Sequence, residues 1–135
     1  MLVLVSEFSA LAAAEAAAAA SAVEVMARQA GRKIAILGDL DGQTTQQIQE
    51  EIAEAAVQNG AEAIFCMGQY AEAACAASGA KKAVAAANEN ELEKAVLAEL
   101  KDGDVVLFNG GREMWFNLTL RRLFGLTDGF SPDSW

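Results

Sequence analysis

The 135-residue chain contains no histidine. That absence excludes every histidine-dependent nucleophile triad and every metal site built on imidazole. Proline occurs once, at Pro132, which leaves the glycines, spread along the chain, to mark the turns. Basic residues are scarce: 10 Lys and Arg stand against 19 Asp and Glu, a formal net charge of -9. An acidic surface repels phosphate backbones, so a nucleic-acid partner is not expected. Any phosphate site has to be local: a helix N-terminus, a glycine turn or a single arginine.

Cysteine is limited to Cys66 and Cys75, one on an expected strand and the other on the helix after it. They read as small buried thiols in a reducing compartment. Strongly apolar runs long enough to span a bilayer are missing. The alanine-rich segment 10–23 carries Glu15 and Ser21, and alanine anchors weakly in lipid. The opening Met-Leu-Val-Leu-Val lacks the basic region and cleavage site of a signal peptide. The expectation is a cytoplasmic protein without a membrane partner. Neither GxGxxG nor the GxxxxGK[ST] phosphate loop occurs.

What is present is enough hydrophobic residue, 53% against 21% charged, to build a core in one domain over 1–135. Residues 126–135 are expected to form a tail. Short apolar runs alternate with longer helical stretches. Strands are predicted at Leu2–Val5, Lys33–Leu37, Ala63–Met67, Ala83–Ala85 and Asp104–Phe108. Helices are predicted at Ser9–Gln29, Thr44–Asn59, Tyr70–Ala77, Glu89–Leu100 (capped by Asn88 or Asn90) and Met114–Phe124. The second of these is apolar at Ile48, Ile52, Ala55 and Ala56, one helical stripe. Strands separated by helices imply parallel pairing with right-handed crossovers. The predicted class is α/β, a three-layer, open, mostly parallel, Rossmann-like sheet.

Ligands of such sheets bind beyond the carboxyl ends of the strands, and three turns follow strands there: Ser6–Ser9, Gly38–Gly42 and Asn109–Arg112. In the second turn, Asp39 and Asp41 suit an ammonium group, a ribose or a hydrated Mg²⁺; equally, they suit a helix cap in a solvated loop. In the third, Asn109, Gly110, Gly111 and Arg112 offer backbone N–H groups and a guanidinium fork to an anion, or form a tight strand-to-helix turn. Met114-Trp115-Phe116 reads as core or as a partner-binding patch. No residue is marked as catalytic and none as a metal ligand.

Gly31-Arg32-Lys33-Ile34-Ala35-Ile36-Leu37-Gly38-Asp39-Leu40 resembles the GRKIAVLGDM segment of the Mur ligases, closest to those that add D-Ala-D-Ala. Ala22–Ala27 is similar to the helix before that segment, Gly42–Ala56 to the helix after it, and Ala63–Gly68 to the next strand. Asp102–Leu107 is similar to PGDVVLVKGSR, with Gly110 and Arg112 on its Gly and Arg. The resemblance runs from about residue 20 to residue 117. It implies a C-terminal Mur ligase domain of cell-wall precursor synthesis, inactive alone, which helps to position ATP and the incoming amine. ATP and Mg²⁺ are implied for a complete enzyme, none for this chain alone, and other ligase domains in the same or another chain are implied as partners. The Asp39/Asp41 turn would face the amine and Arg112 a phosphate or carboxylate.

Departures accompany it. The family's Asn-Pro-x-Ser motif is replaced by an alanine run around Glu15, and the GDMxELG turn is shortened. A histidine falls on Gln49, the lysine of KGSR on Asn109, its serine on Gly111 and the following glutamate on Asn117. The second expectation is therefore a non-catalytic docking module, its contact surface at Trp115/Phe116 or the tail ending in Trp135, with a homo-oligomer through the Trp115/Phe116 region as one form.

Overall fold

Lys33-Ile34-Ala35-Ile36-Leu37 has no polar residue after its lysine, and only a strand covered on both faces can bury such a run. In the computed structural model it is the middle strand of the sheet, with Ile34, Ala35 and Ile36 fully buried. The structure describes residues 2–7, 23–39 and 45–110. They form strands β1 (Leu2–Glu7), β2 (Lys33–Leu37), β3 (Ala61–Met67), β4 (Lys82–Ala86) and β5 (Val105–Gly110). The helices are α1 (described over 23–27), α2 (Gln46–Gln58), α3 (Ala71–Ser78) and α4 (Glu89–Glu99). Predicted segments at 8–22, 40–44 and 111–135 lie outside the described residues, including the tail, Asp41, Gly111, Arg112, Trp115, Phe116 and Trp135.

The sheet order is β1-β5-β2-β3-β4 and every pair is parallel. From β1 through β4 the chain steps in one direction, so right-handed crossovers put α1, α2 and α3 on one face. The step from β4 back to β5 reverses direction and puts α4 on the other. The core divides accordingly. Val23, Met26, Ile52, Ala56 and Ala74 pack on Ala35, Leu37, Ile64 and Leu107. Leu92 and Val96 of α4 pack on Ile36, Phe65, Val106 and Phe108. The result is the expected three-layer α/β, Rossmann-like sheet.

Two details depart from the predicted elements. β3 begins at Ala61, and a bulge sets Lys33 opposite Ala61 but Ile34 opposite Ala63. The extra residue, Glu62, is exposed, and the bulge sends Ala61 and Ala63 to opposite core layers. In α2 the buried residues are Gln49, Ile52, Ala53 and Ala56, whereas Ile48 and Ala55 are half-buried. The stripe turns toward Gln49 because its Nε2 donates to the Gly38 carbonyl at 3.2 Å; this hydrogen bond lets an amide occupy a core position. Thr45 caps α2, its hydroxyl accepting from the Ile48 N–H at 3.2 Å. Asn88 caps α4 in the same way at 3.0 Å, and Glu91 returns to accept from the Ala87 N–H at 2.8 Å.

The amino ends of the strands are tied by charge. Arg32 forks onto Asp104, Nε to Oδ1 at 3.0 Å and Nη2 to Oδ2 at 2.7 Å. It also reaches the Glu99 carboxylate at 2.8 Å and the Glu99 carbonyl at 2.7 Å. Lys82 pairs with the other oxygen of Glu99 at 2.9 Å. The starts of β2, β4 and β5 and the end of α4 are thus one network. Hydrogen bonding from Arg32 holds the Asp104 carboxyl below its ordinary range against the opposing effect of burial. Lys82, then Arg32, does the same for Glu99. At Gly31, φ is +123° and a Cβ would stand 2.5 Å from the Gly103 carbonyl oxygen, so the close approach of these two turns needs glycine. Among the described residues no helix is long and apolar enough to cross a membrane.

Candidate functional site

At the opposite, carboxyl edge, β2 runs into Gly38-Asp39, β3 into Gly68-Gln69 and β5 into Asn109-Gly110. β5 and β2 are neighbours, and the Gly38 N–H continues their ladder by donating to the Asn109 carbonyl at 2.9 Å. The chain leaves β2 toward β3 and α2 on one face, and enters β5 from α4 on the other. The crevice between the ends of β2 and β5 opens at this carboxyl edge, where open α/β sheets take ligands.

Asn109 is the anomaly there. It is 1% exposed. Val105 and Leu107 face α1–α3 while Val106 and Phe108 face α4, so strand alternation puts Asn109 on the α1–α3 face. Neither its Oδ1 nor its Nδ2 has a hydrogen-bond partner among the described residues. An amide left so among the described residues costs about 1–3 kcal/mol of desolvation unless water or a bound group satisfies it.

Asp39 lies one strand over and is half-buried. Its carboxylate accepts from the Gln69 N–H, at 3.2 Å for Oδ1 and 3.1 Å for Oδ2. It ties the turn after β2 to the turn after β3 and does not cap α2, a role that falls to Thr45. Gly68 makes room for it: φ is +120° there, and a Cβ would stand 2.5 Å from Asp39 Oδ1. Gly68→Ala is expected to cost about 2 kcal/mol, in backbone strain plus the displaced carboxylate. In an Asp39→Ala background the cost should shrink by more than ~0.5 kcal/mol, since the collision is gone. A double-mutant cycle by urea denaturation measures this; strictly additive losses would refute the contact.

The structure thus brings Asp39, Asn109 and Gly110 to one edge, while Asp41, Gly111 and Arg112 fall outside the described residues. Sequence reasoning passed over Gly68-Gln69, marking Gly68 as the end of a strand. The available signal was a glycine directly after an apolar run, as in the turns it did select. Beside this turn a cleft of about 280 Å³ opens between the ends of β3 and β4, lined by Gly68, Gln69, Glu72 and Ala85 to Ala87. The charges are polarised. Arg32, Lys33, Lys82 and Lys101 stand at the amino edge, and none of the described turns at 38–39, 68–70, 86–88 and 109–110 carries a lysine or arginine.

No family model and no curated protein matches the chain. Solved structures do. The MurF ligase of Thermotoga maritima in complex with ADP superposes with a TM-score of 0.61 at 21% identity, over 91% of this chain and 27% of that one. The UDP-N-acetylmuramoylalanyl-D-glutamyl-2,6-diaminopimelate–D-alanyl-D-alanyl ligase of Acinetobacter baumannii gives 0.62 at 21%, over 88% of this chain and 25% of that one. A further MurF structure from A. baumannii gives 0.61 at 19%, with the same coverage. At such identities the likeness establishes the fold: this chain has the architecture of a piece of the MurF ligases and spans about a quarter of their length.

Proposed function

We propose that the chain serves as the C-terminal domain of a Mur-type ATP-dependent amide-bond ligase of cell-wall precursor synthesis, positioning the incoming amine beside the other ligase domains. The observation that carries this reading is Asn109, a buried amide without a partner among the described residues, at the carboxyl edge of a sheet with the MurF architecture. The local electrostatics favour the amine. Asp39 and Glu72 at the carboxyl edge suit an ammonium group, and no described cation competes for them.

A nucleotide fits the described residues less completely. Its phosphates would rest on the N–H groups of the glycine turns and on Arg112, and Asn109 would receive a neutral polar edge. Asp39 already accepts from Gln69, so its remaining lone pairs are what a hydrated Mg²⁺ would meet. ATP supplies, when bound, the phosphoryl group that activates a carboxylate toward the amine, and that chemistry belongs to the remainder of the ligase. This chain's share is orientation: Asp39 and the Gly68-Gln69 turn fix one wall and Asn109 the floor.

Calorimetry and thermal shift with D-alanyl-D-alanine and with ADP–Mg²⁺ test the reading. Dipeptide binding should stabilise the chain and weaken about tenfold on Asp39→Asn, the loss of one charge-assisted contact. No stabilisation by either ligand at millimolar concentration would sink the proposal and leave a docking module without a small-molecule site.

A further inference from the structure

Independently of the edge site, the fold brings its two cysteines together. Strand alternation puts Cys66 of β3 on the α1–α3 face beside Ile64 and Leu37, and its side chain is buried. Cys75 lies one helical turn past Ala71 on α3, half-buried, and packs on the cluster that contains Cys66. The two thiols are close enough for each to shift the other's titration. α3 reads Ala-Glu-Ala-Ala-Cys-Ala-Ala-Ser, and with no bulky residue on its inner side the helix backbone can lie close to the strand. A disulfide demands such proximity, with Cα atoms about 4.4–6.8 Å apart. Among the described residues no group of three or more acidic or thiol side chains is placed to hold a metal ion.

We propose that Cys75 and Cys66 form a thiol–disulfide exchange site, in which Cys75 attacks a small-molecule disulfide and Cys66 resolves the product into a Cys66–Cys75 bridge. The environments divide the labour. Hydrogen bonding with Cys75, then burial, pushes the Cys66 thiol up and keeps it protonated. The same hydrogen bond draws the Cys75 thiol down, toward the nucleophilic thiolate, at the position solvent can reach.

In the first step the Cys75 thiolate forms a bond to one sulfur of a disulfide RSSR and expels RS⁻. In the second, Cys66 gives its proton to that thiolate and its sulfur attacks Cys75 Sγ, expelling the second RS⁻. RSSR is reduced to two thiols, the second taking its proton from water, and the two cysteines are oxidised. The bridge closes a loop containing Gly68-Gln69, the turn that Asp39 holds. Oxidation therefore pins α3 to β3 directly under that turn.

Incubating the reduced full chain with oxidised glutathione at neutral pH, followed by acid quench and intact-mass measurement, tests this. The wild type should lose two hydrogens and retain no glutathione, with peptide mapping locating a Cys66–Cys75 link. Cys66→Ala should hold one glutathione on Cys75. Cys75→Ala should react at least about tenfold more slowly while folded, since Cys66 is buried. A wild type that keeps glutathione, or that stays reduced while denatured chain reacts, overturns the proposal. Equal rates for the two variants overturn it too. The wild-type arm decides alone if circular dichroism shows that a variant is unfolded.

Discussion

Replacing Arg32 by methionine is expected to lower the unfolding free energy by about 3 kcal/mol, the largest loss of any single surface-reaching side chain in the described fold. The side chain of Asp104 is 3% exposed, and that of Arg32 is 22% exposed. Removing the guanidinium strands a buried carboxylate whose two oxygens were both engaged, leaving the Lys101 N–H at 2.8 Å as its remaining partner among the described residues. Glu99 keeps Lys82 but loses its tie to β2. For a chain of this size the loss corresponds to a drop in Tm of about 10 °C. A thermal melt of Arg32→Met within a degree or two of wild type would show that the network contributes nothing.

The pH dependence gives this prediction a second edge. Asp104 and Glu99 both titrate below their ordinary values in the folded protein. Their contribution is fully present above the unfolded carboxylate pKa, about 4, and is lost as pH falls through the depressed folded values. The difference between wild type and Arg32→Met should therefore be largest near neutrality and shrink below about pH 4. A gap that stays constant down to pH 3 would assign the effect to the lost aliphatic packing of Arg32 and not to its charge.

Local signals made much of the fold legible. The unbroken apolar run of Lys33–Leu37 marked a strand buried on both faces, and β2 has those bounds. Glycines marked turns in general, and Gly79 closes α3 in the left-handed conformation, with φ +72°. Of the two cap candidates offered for α4, Asn88 and Asn90, Asn88 is the one that caps it. Strand order was not legible, because it depends on which distant strands pair; the insertion of β5 between β1 and β2 has no local cue. The α2 stripe was legible at Ile52 and Ala56, with Ile48 and Ala55 packing at its margin, but not Gln49, a polar residue that takes a core position once the Gly38 carbonyl is within reach. At the carboxyl edge, sequence picked out Asp39 and Asn109 by their place after strands. It did not disclose that Asp39 is tied to Gln69 while the Asn109 amide is left over, since both facts are three-dimensional.

That leftover amide supports the last prediction. Asn109→Leu keeps the branched shape at Cγ and removes a buried donor and acceptor that no described residue satisfies. Relieving such a group should raise the unfolding free energy by about 1–2 kcal/mol, where most core substitutions lower it. The same change should abolish the stabilisation conferred by the ligand of the edge site, because the apolar side chain leaves the bound polar group unpaired; about tenfold in affinity follows from one such hydrogen bond. Chemical denaturation with and without D-alanyl-D-alanine or ADP–Mg²⁺ reads both effects in one series. A more stable variant that no longer responds to ligand is the signature of a site maintained at the expense of stability. A destabilised variant would mean that the amide is satisfied within the protein, and Asn109 would then be a structural residue. A more stable variant that still responds would separate the two effects and move the binding determinant to the Asp39–Gly68 wall.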